Sequence, residues 1–499
     1  MLQESSSHNR LYIIIAALLA LFLGALDALI ISAAMPSIVT DLGGLTMYSW
    51  VYSAYFLARA VALPVFGKLA DRFSTRNLFL FSITVFLLAS FAAGAAPSMA
   101  VLIAARVFQG IGAGGIFALV YIVLSDISPP GERGKTLSLA SSVWGISSII
   151  GPTLGGFIVT YVSWRWIFFL NVPLALASLA TIGRCLRQPA RPAKTVRLDI
   201  AGIVSLSGFI LSFLTIFIIG GRDYGWMSGE ILGLATLSAI FAGLFIAAEK
   251  RAADPVLDLR FFARPVFALG NGAAFCASFA IFALFAYVPL FIEGALAKTP
   301  MQVGVTMLSL SFGWSCGSLL LGRMVDGTGS RQAAVLGGFL LVTSSAAMLF
   351  FGPRTSLAFC FIIFLLAGLG MGFVTLSTLL LVQSDLPKTN LGVATSFHQF
   401  SRTLGGTIGV GICGGVVTTG LLDNLETSSA LIPPAIMEQL HKGMENLFRE
   451  EFRALLNRQS EAVLALAVSD AMAVVFWIIL GAALLCLGCA AGLKDSAKC

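Results

Sequence analysis

Asp27 is the sole charged side chain in the apolar stretch from Leu11 to Pro36. A carboxylate near mid-bilayer costs roughly 2.5–3.5 kcal/mol on insertion scales, so its presence points to a proton or cation site. Three other deep positions carry charge, and all are basic: Arg59, Arg106 and Arg402. Gln109 lies one helical turn beyond Arg106, and His398 and Gln399 lie one turn before Arg402. Asp27, Arg59, Gln109, His398, Gln399 and Arg402 are therefore the candidates to line a polar cavity, and Asp27 with Arg106 the candidates for proton coupling. Asp27 and Arg106 fall at comparable depths in their spans, which allows them to pair.

Holding such groups at mid-membrane takes helices of about 20 apolar residues. The composition supplies them, with 58% hydrophobic and only 11% charged residues and a mean hydropathy of +0.94. The expected spans are 11–36, 48–67, 78–96, 100–124, 136–160, 164–184, 199–219, 229–249, 265–292, 302–322, 332–351, 356–383, 391–420 and 468–492. The predicted fold is an all-α polytopic membrane protein. With the N-terminus inside, most of the 31 Lys and Arg residues fall in cytoplasmic segments, so both termini are expected there and the net charge of +7 reflects topology rather than nucleic acid. The organisation is six spans over residues 1–184, two central spans over 185–264, and six more over 265–499. The last part includes an external loop, 421–467, whose apolar positions from Ile436 to Leu456 suggest an amphipathic helix.

The halves repeat. GKLADRFSTR, with Gly67, Asp71 and Arg76, is matched by GRMVDGTGSR, with Gly322, Asp326 and Arg331 at identical spacing. GIGAGG from Gly110 is echoed by GLGMGF from Gly368. Internal repeats of this kind typify secondary transporters, whose site lies where the repeats meet. Enzymatic chemistry is not supported, because His8, His398 and His441 are scattered and no metal-ligand motif occurs. PPGERGKT, from Pro129 to Thr136, has proline where a phosphate loop needs its first glycine. No cofactor, metal or disulfide framework is indicated by the eight cysteines, and Cys486 and Cys489 fall within the last span.

GKLADRFSTRN resembles the signature loop between helices 2 and 3 of the major facilitator superfamily. RVFQGIGAGG, with Arg106 and Gln109, is similar to the superfamily motif whose arginine is associated with proton transfer. GISSIIGPTLGG, with Gly145, Gly151, Pro152, Gly155 and Gly156, is similar to the motif of its antiporters. LDALIISAAMP, SWRWIFFLNVP and SRTLGGTIG resemble strings of the fourteen-spanner drug:proton antiporter branch. The resemblance implies two six-helix bundles plus two extra central helices, Asp27 as the protonatable residue, and a charge network of Asp71, Arg72 and Arg76 that locks the outward-facing state. Asp71 is then expected at the start of helix 13, near Leu391 to Ser396, with Asp126 as a partner for Arg72 or Arg76. Ser74 and Thr75 stand where the family more often has Gly-Arg, and Arg59 where a small or neutral residue is usual.

The expected function is proton-coupled export of small, largely hydrophobic drugs or toxic compounds across the plasma membrane. A carrier for a defined organic anion or metabolite is the alternative, which the three arginines would suit. The expected partners are the small-molecule substrate, protons and lipid, with a monomeric chain and room for a periplasmic adaptor.

Overall fold

The computed structural model describes residues 7–43, 47–129, 131–186, 199–221, 224–427 and 458–494. Helices make up nearly all of it. The first bundle holds α1 (Ser7–Leu42), α2 (Tyr48–Arg72), α3 (Thr75–Gly94), α4 (Met99–Asp126), α5 (Arg133–Tyr161), the short α6 (Arg165–Phe169) and α7 (Asn171–Cys185). Next come α8 (Ile200–Ile219) and α9 (Gly229–Arg251), which pair with each other while α8 leans on both bundles. The second bundle holds α10 (Pro265–Leu290), α11 (Pro300–Thr328), α12 (Ser330–Met348), α13 (Leu357–Asp385), α14 (Leu391–Thr427) and α15 (Arg458–Gly492).

Among the described residues, twelve helices are long and apolar enough to cross a membrane. The expected count is fourteen, and the two further spans coincide with α5 and α12. Both are helical, but glycine and hydroxyl residues dilute them: Ser138, Ser141, Ser142 and Gly145 in α5, and Gly337, Gly338, Ser344 and Ser345 in α12. Large apolar side chains such as Leu88, Phe157, Phe350 and Trp477 are exposed, as a lipid-facing surface requires.

Several helices outrun their expected spans. The first continues through Pro36 to Leu42, since proline's fixed φ suits a helix and membrane helices tolerate the missing N–H. Helices α14 and α15 both reach into the expected external loop. The predicted amphipathic segment, with Ile436 and Leu456 at its limits, lies outside the described residues, as do His441, Cys499 and the side chain of His8. The other seven cysteines are free.

Glycines set how closely the helices approach. A Cβ on Gly112 of α4 would lie 2.7 Å from the Phe86 amide nitrogen of α3, and one on Gly370 of α13 would lie 2.8 Å from the Gly337 carbonyl of α12. The GIGAGG and GLGMGF echoes thus do the same packing work in the two bundles. The expected outcome is that Gly112→Ala costs about 1–3 kcal/mol through overpacking and lowers the unfolding temperature of the solubilised protein. Gly156→Ala, where an added carbon meets nothing within 4 Å, leaves that temperature unchanged.

Candidate functional site

Asp27 lies deep in the first bundle and is 1% exposed, with Arg106 fully buried beside it. Arg106 Nη1 donates to Asp27 Oδ2. The other carboxylate oxygen accepts from Gln109 Nε2 and from Asn171 Nδ2, each at 3.2 Å. Arg106 and Gln109, three residues apart, share one face of α4, and Arg106 Nη1 also donates to Gln109 Oε1 at 3.0 Å. Arg106 Nε reaches the Val51 carbonyl of α2 at 3.2 Å, and its guanidinium lies 4.3 Å from the Tyr55 ring centroid. Tyr55 in turn donates to the Gly24 carbonyl, one turn before Asp27. Ser90 of α3 accepts from Gln109 at 2.8 Å and closes the network.

Within the first bundle, the Asp27 carboxylate and the Gln109 amide are thus engaged by one another and by groups of α3, α4 and α7. Sequence reading missed Ser90 and Asn171. Asn171 stands inside the string SWRWIFFLNVP, where a lone asparagine among apolar residues was the available signal.

A second constellation forms where the bundles meet. Arg59 of α2 packs under Phe56 and Phe117, at 4.7 and 5.0 Å from their ring centroids. Phe117 contacts Trp144 of α5, and Trp144 stacks on Trp314 of α11 across the bundle interface, with centroids 6.4 Å apart and planes 7° from parallel. Arg402 of α14 lies 5.3 Å from the Trp314 ring and donates to Gln399 Oε1 at 2.9 Å. The two arginines are close enough to repel each other, and Tyr121 stands beside Arg402. Many polar atoms here are buried and without a hydrogen-bond partner: Arg59 Nε and Nη1, Arg402 Nε, Gln399 Nε2, the Tyr121 hydroxyl and both indole N–H groups.

His398 Nε2 is 2.9 Å from Thr378 Oγ1, whose own hydrogen goes to the Val374 carbonyl. The ring therefore donates through Nε2, and its Nδ1 is left unpartnered. Of the aromatic residues of α10, Phe282 meets Trp314 edge-on at 6.3 Å, while Tyr287 donates to the Val410 carbonyl. Glu293 lies in the π-helical turn Phe291–Ala295 beyond α10 and is itself engaged.

The third constellation seals the face that carries the α2–α3 turn, the expected cytoplasmic side. Asp71 caps α14, accepting from the Gly392 amide at 2.6 Å and the Val393 amide at 2.9 Å, where its position in the loop put it. Gly67 lets α2 close on Gly392 and Ser396, and a Cβ there would stand 2.8 Å from the Gly392 carbonyl. The second copy of the motif mirrors this, since a Cβ on Gly322 of α11 would stand 2.8 Å from the Gly134 carbonyl of α5. Arg76 donates to the Gly183 carbonyl near the end of α7, and Arg331 to the Ala491 carbonyl near the end of α15. The Asp326 side chain lies outside the described residues.

Arg72 and Lys68 both pair with Asp254, at 3.3 and 2.5 Å, a residue of the α9–α10 connection that sequence reading did not single out. Asp126 ends α4 and is itself engaged. A cavity of about 100 Å³ lies among Lys68, Asp71, Arg72, Asp254 and Phe261. Helix α5 serves two contacts: Gly145 faces Ser311 and Ser315 of α11, while Gly151 faces Leu29 of α1. Gly155 is buried in the same helix, and the Pro152 ring lies outside the described residues. Beyond the opposite ends of the spans, Arg165 and Trp164 hold the Asp41 carboxyl below its usual range.

Two helical bundles that clasp buried charges at mid-depth, each closed on the other by a repeated loop, define a membrane transporter rather than an enzyme. The family model described as Major Facilitator Superfamily matches residues 17–410, and the chain belongs to that superfamily. It is 34% identical to the "Multidrug transporter protein MdtP" of Bacillus subtilis (strain 168) over 425 residues, covering 84% of this chain and 77% of that one. Against "Multidrug resistance protein 3" of the same organism it is 29% identical over 414 residues, covering 83% and 81%. Among solved structures, the human organic anion transporter MFSD10 (TETRAN) superposes with a TM-score of 0.63 at 13% identity, covering 95% of this chain and 99% of that one.

Asp71→Ala removes both amide acceptors at the start of α14, a loss of about 0.5–2 kcal/mol. The expected result is faster labelling by a maleimide of a cysteine placed at the buried Ser138, with Asp254→Ala adding to the effect.

Proposed function

We infer that this chain exports small, largely hydrophobic compounds in exchange for protons, by alternating access of two six-helix bundles in the plasma membrane. Both termini stand on the cytoplasmic side, and α5 and α12 complete fourteen spans. The multidrug transporters it resembles support export of this kind. The observation that carries the proton step is the fully buried Asp27–Arg106 pair.

A proton reaching Asp27 neutralises the carboxylate and frees Arg106 to settle on its other acceptors, Gln109 Oε1 and the Val51 carbonyl. Val51 belongs to α2, which also carries Arg59 into the central constellation and Gly67 to Arg72 into the gate. A second path runs through α1, where a Cβ on Gly24 would lie 2.7 Å from the ring of Phe117. Protonation is thereby felt at both the centre and the gate. One charge crossing 100 mV is worth about 2.3 kcal/mol and each pH unit about 1.4 kcal/mol, so one or two protons drive a useful gradient.

The test is transport in liposomes with an imposed pH gradient. Asp27→Asn keeps one oxygen to accept from Gln109 and Asn171 but leaves Arg106 without its counter-ion, so folding is checked by size-exclusion chromatography, and in the folded variant gradient-driven export falls to the level of empty liposomes. Export that survives in Asp27→Asn removes the residue from the role.

A further inference from the structure

The geometry points to an amphipathic aromatic anion as the compound held between the bundles, its carboxylate or sulfonate set between Arg59 and Arg402 and its ring against the Phe117, Trp144, Trp314 and Phe282 wall. The inference rests on the export reading and names the class of substrate exported.

The charge balance carries the argument. Asp27 is satisfied by Arg106 inside the first bundle, which leaves Arg59 and Arg402 as cations without a carboxylate partner among the described residues. They are 5% and 7% exposed and repel one another. Ring faces lie against both guanidinium groups and attract a cation but leave Arg59 Nε and Nη1 and Arg402 Nε unbonded, while Arg402 Nη1 donates to Gln399 Oε1. Arg59 Nε and Nη1, Arg402 Nε and both indole N–H groups are all donors without acceptors. A site of unpaired donors with two like charges rejects a cation and is completed by oxygens that carry negative charge. The surrounding rings form an apolar surface that a simple inorganic anion leaves unused. The Trp144–Trp314 stack joins the two bundles, so a ring bound against it contacts both halves and senses their separation.

Calorimetry on the full chain in nanodiscs of neutral lipid tests this with three probes that share one ring system: naphthalene-2-sulfonate, 2-naphthylmethanol and 2-naphthylmethylammonium. The expected result is sulfonate binding at least tenfold tighter than the alcohol or the ammonium. Arg59→Gln and Arg402→Gln each weaken the sulfonate about ten- to hundredfold and leave the alcohol unchanged. Arg59→Lys and Arg402→Lys recover part of the loss, and retained alcohol binding shows that the variants are folded. Equal or tighter binding of the ammonium overturns the inference, as does unaltered sulfonate affinity in both glutamine variants. Methanesulfonate that competes as well as its naphthalene counterpart overturns the aromatic half. Asp27→Asn separates the two readings: it is expected to keep the preference for sulfonate over ammonium while losing proton-driven export. Export that survives Asp27→Asn beside intact sulfonate selectivity sinks only the proton step.

Discussion

Arg106 and Asp27 neutralise each other inside the first bundle, and the electrostatics of the remaining interior follow from that pairing. An isolated charge in hydrocarbon is costly, and breaking a buried pair by deleting one partner typically costs 3–5 kcal/mol. Gln109, Asn171 and Ser90 satisfy the carboxylate's second oxygen and one another, so the acid is held within the first bundle. With Asp27 committed there, the central arginines have aromatic faces, the Gln399 oxygen and the neighbouring Tyr121 for company, and no carboxylate among the described residues.

The contacts between the bundles at the α2–α3 turn have a different basis. Lys68 and Arg72 are largely buried there and share one acid at close range. Asp71 bonds two backbone amides at the positive end of α14, an arrangement that exists only while the bundles are together on this face. Lys68 and Arg72 are held on the same face by Asp254, which arrives from the connection after the two central helices. The segment after those helices thereby brings to this contact an acid that the repeat itself does not contain.

Close packing lets these groups meet at all. The glycines of α4 and α13 allow neighbouring backbones within contact distance, which sets Arg59, Tyr55 and Trp314 at fixed depths. Gly67 and Gly322 do the same across the bundles, one against α14 and one against α5. Two copies of one loop thus make two copies of one contact.

Span positions, the repeat and the deep charges were legible in the sequence because hydropathy, glycine spacing and isolated polar residues are local signals. So was the meeting of Asp71 with the start of α14, since the loop motif prescribes it. Local signals do not tell which buried groups share a pocket. Only the tertiary structure showed that Asp27 and Gln109 share hydrogen bonds with α3, α4 and α7 while Arg59 and Arg402 lie among the rings of α2, α4, α5 and α11. Asn171 and Asp254 were decided the same way, each an ordinary polar residue until the fold brought it to a charge 144 and 186 positions away in sequence, respectively.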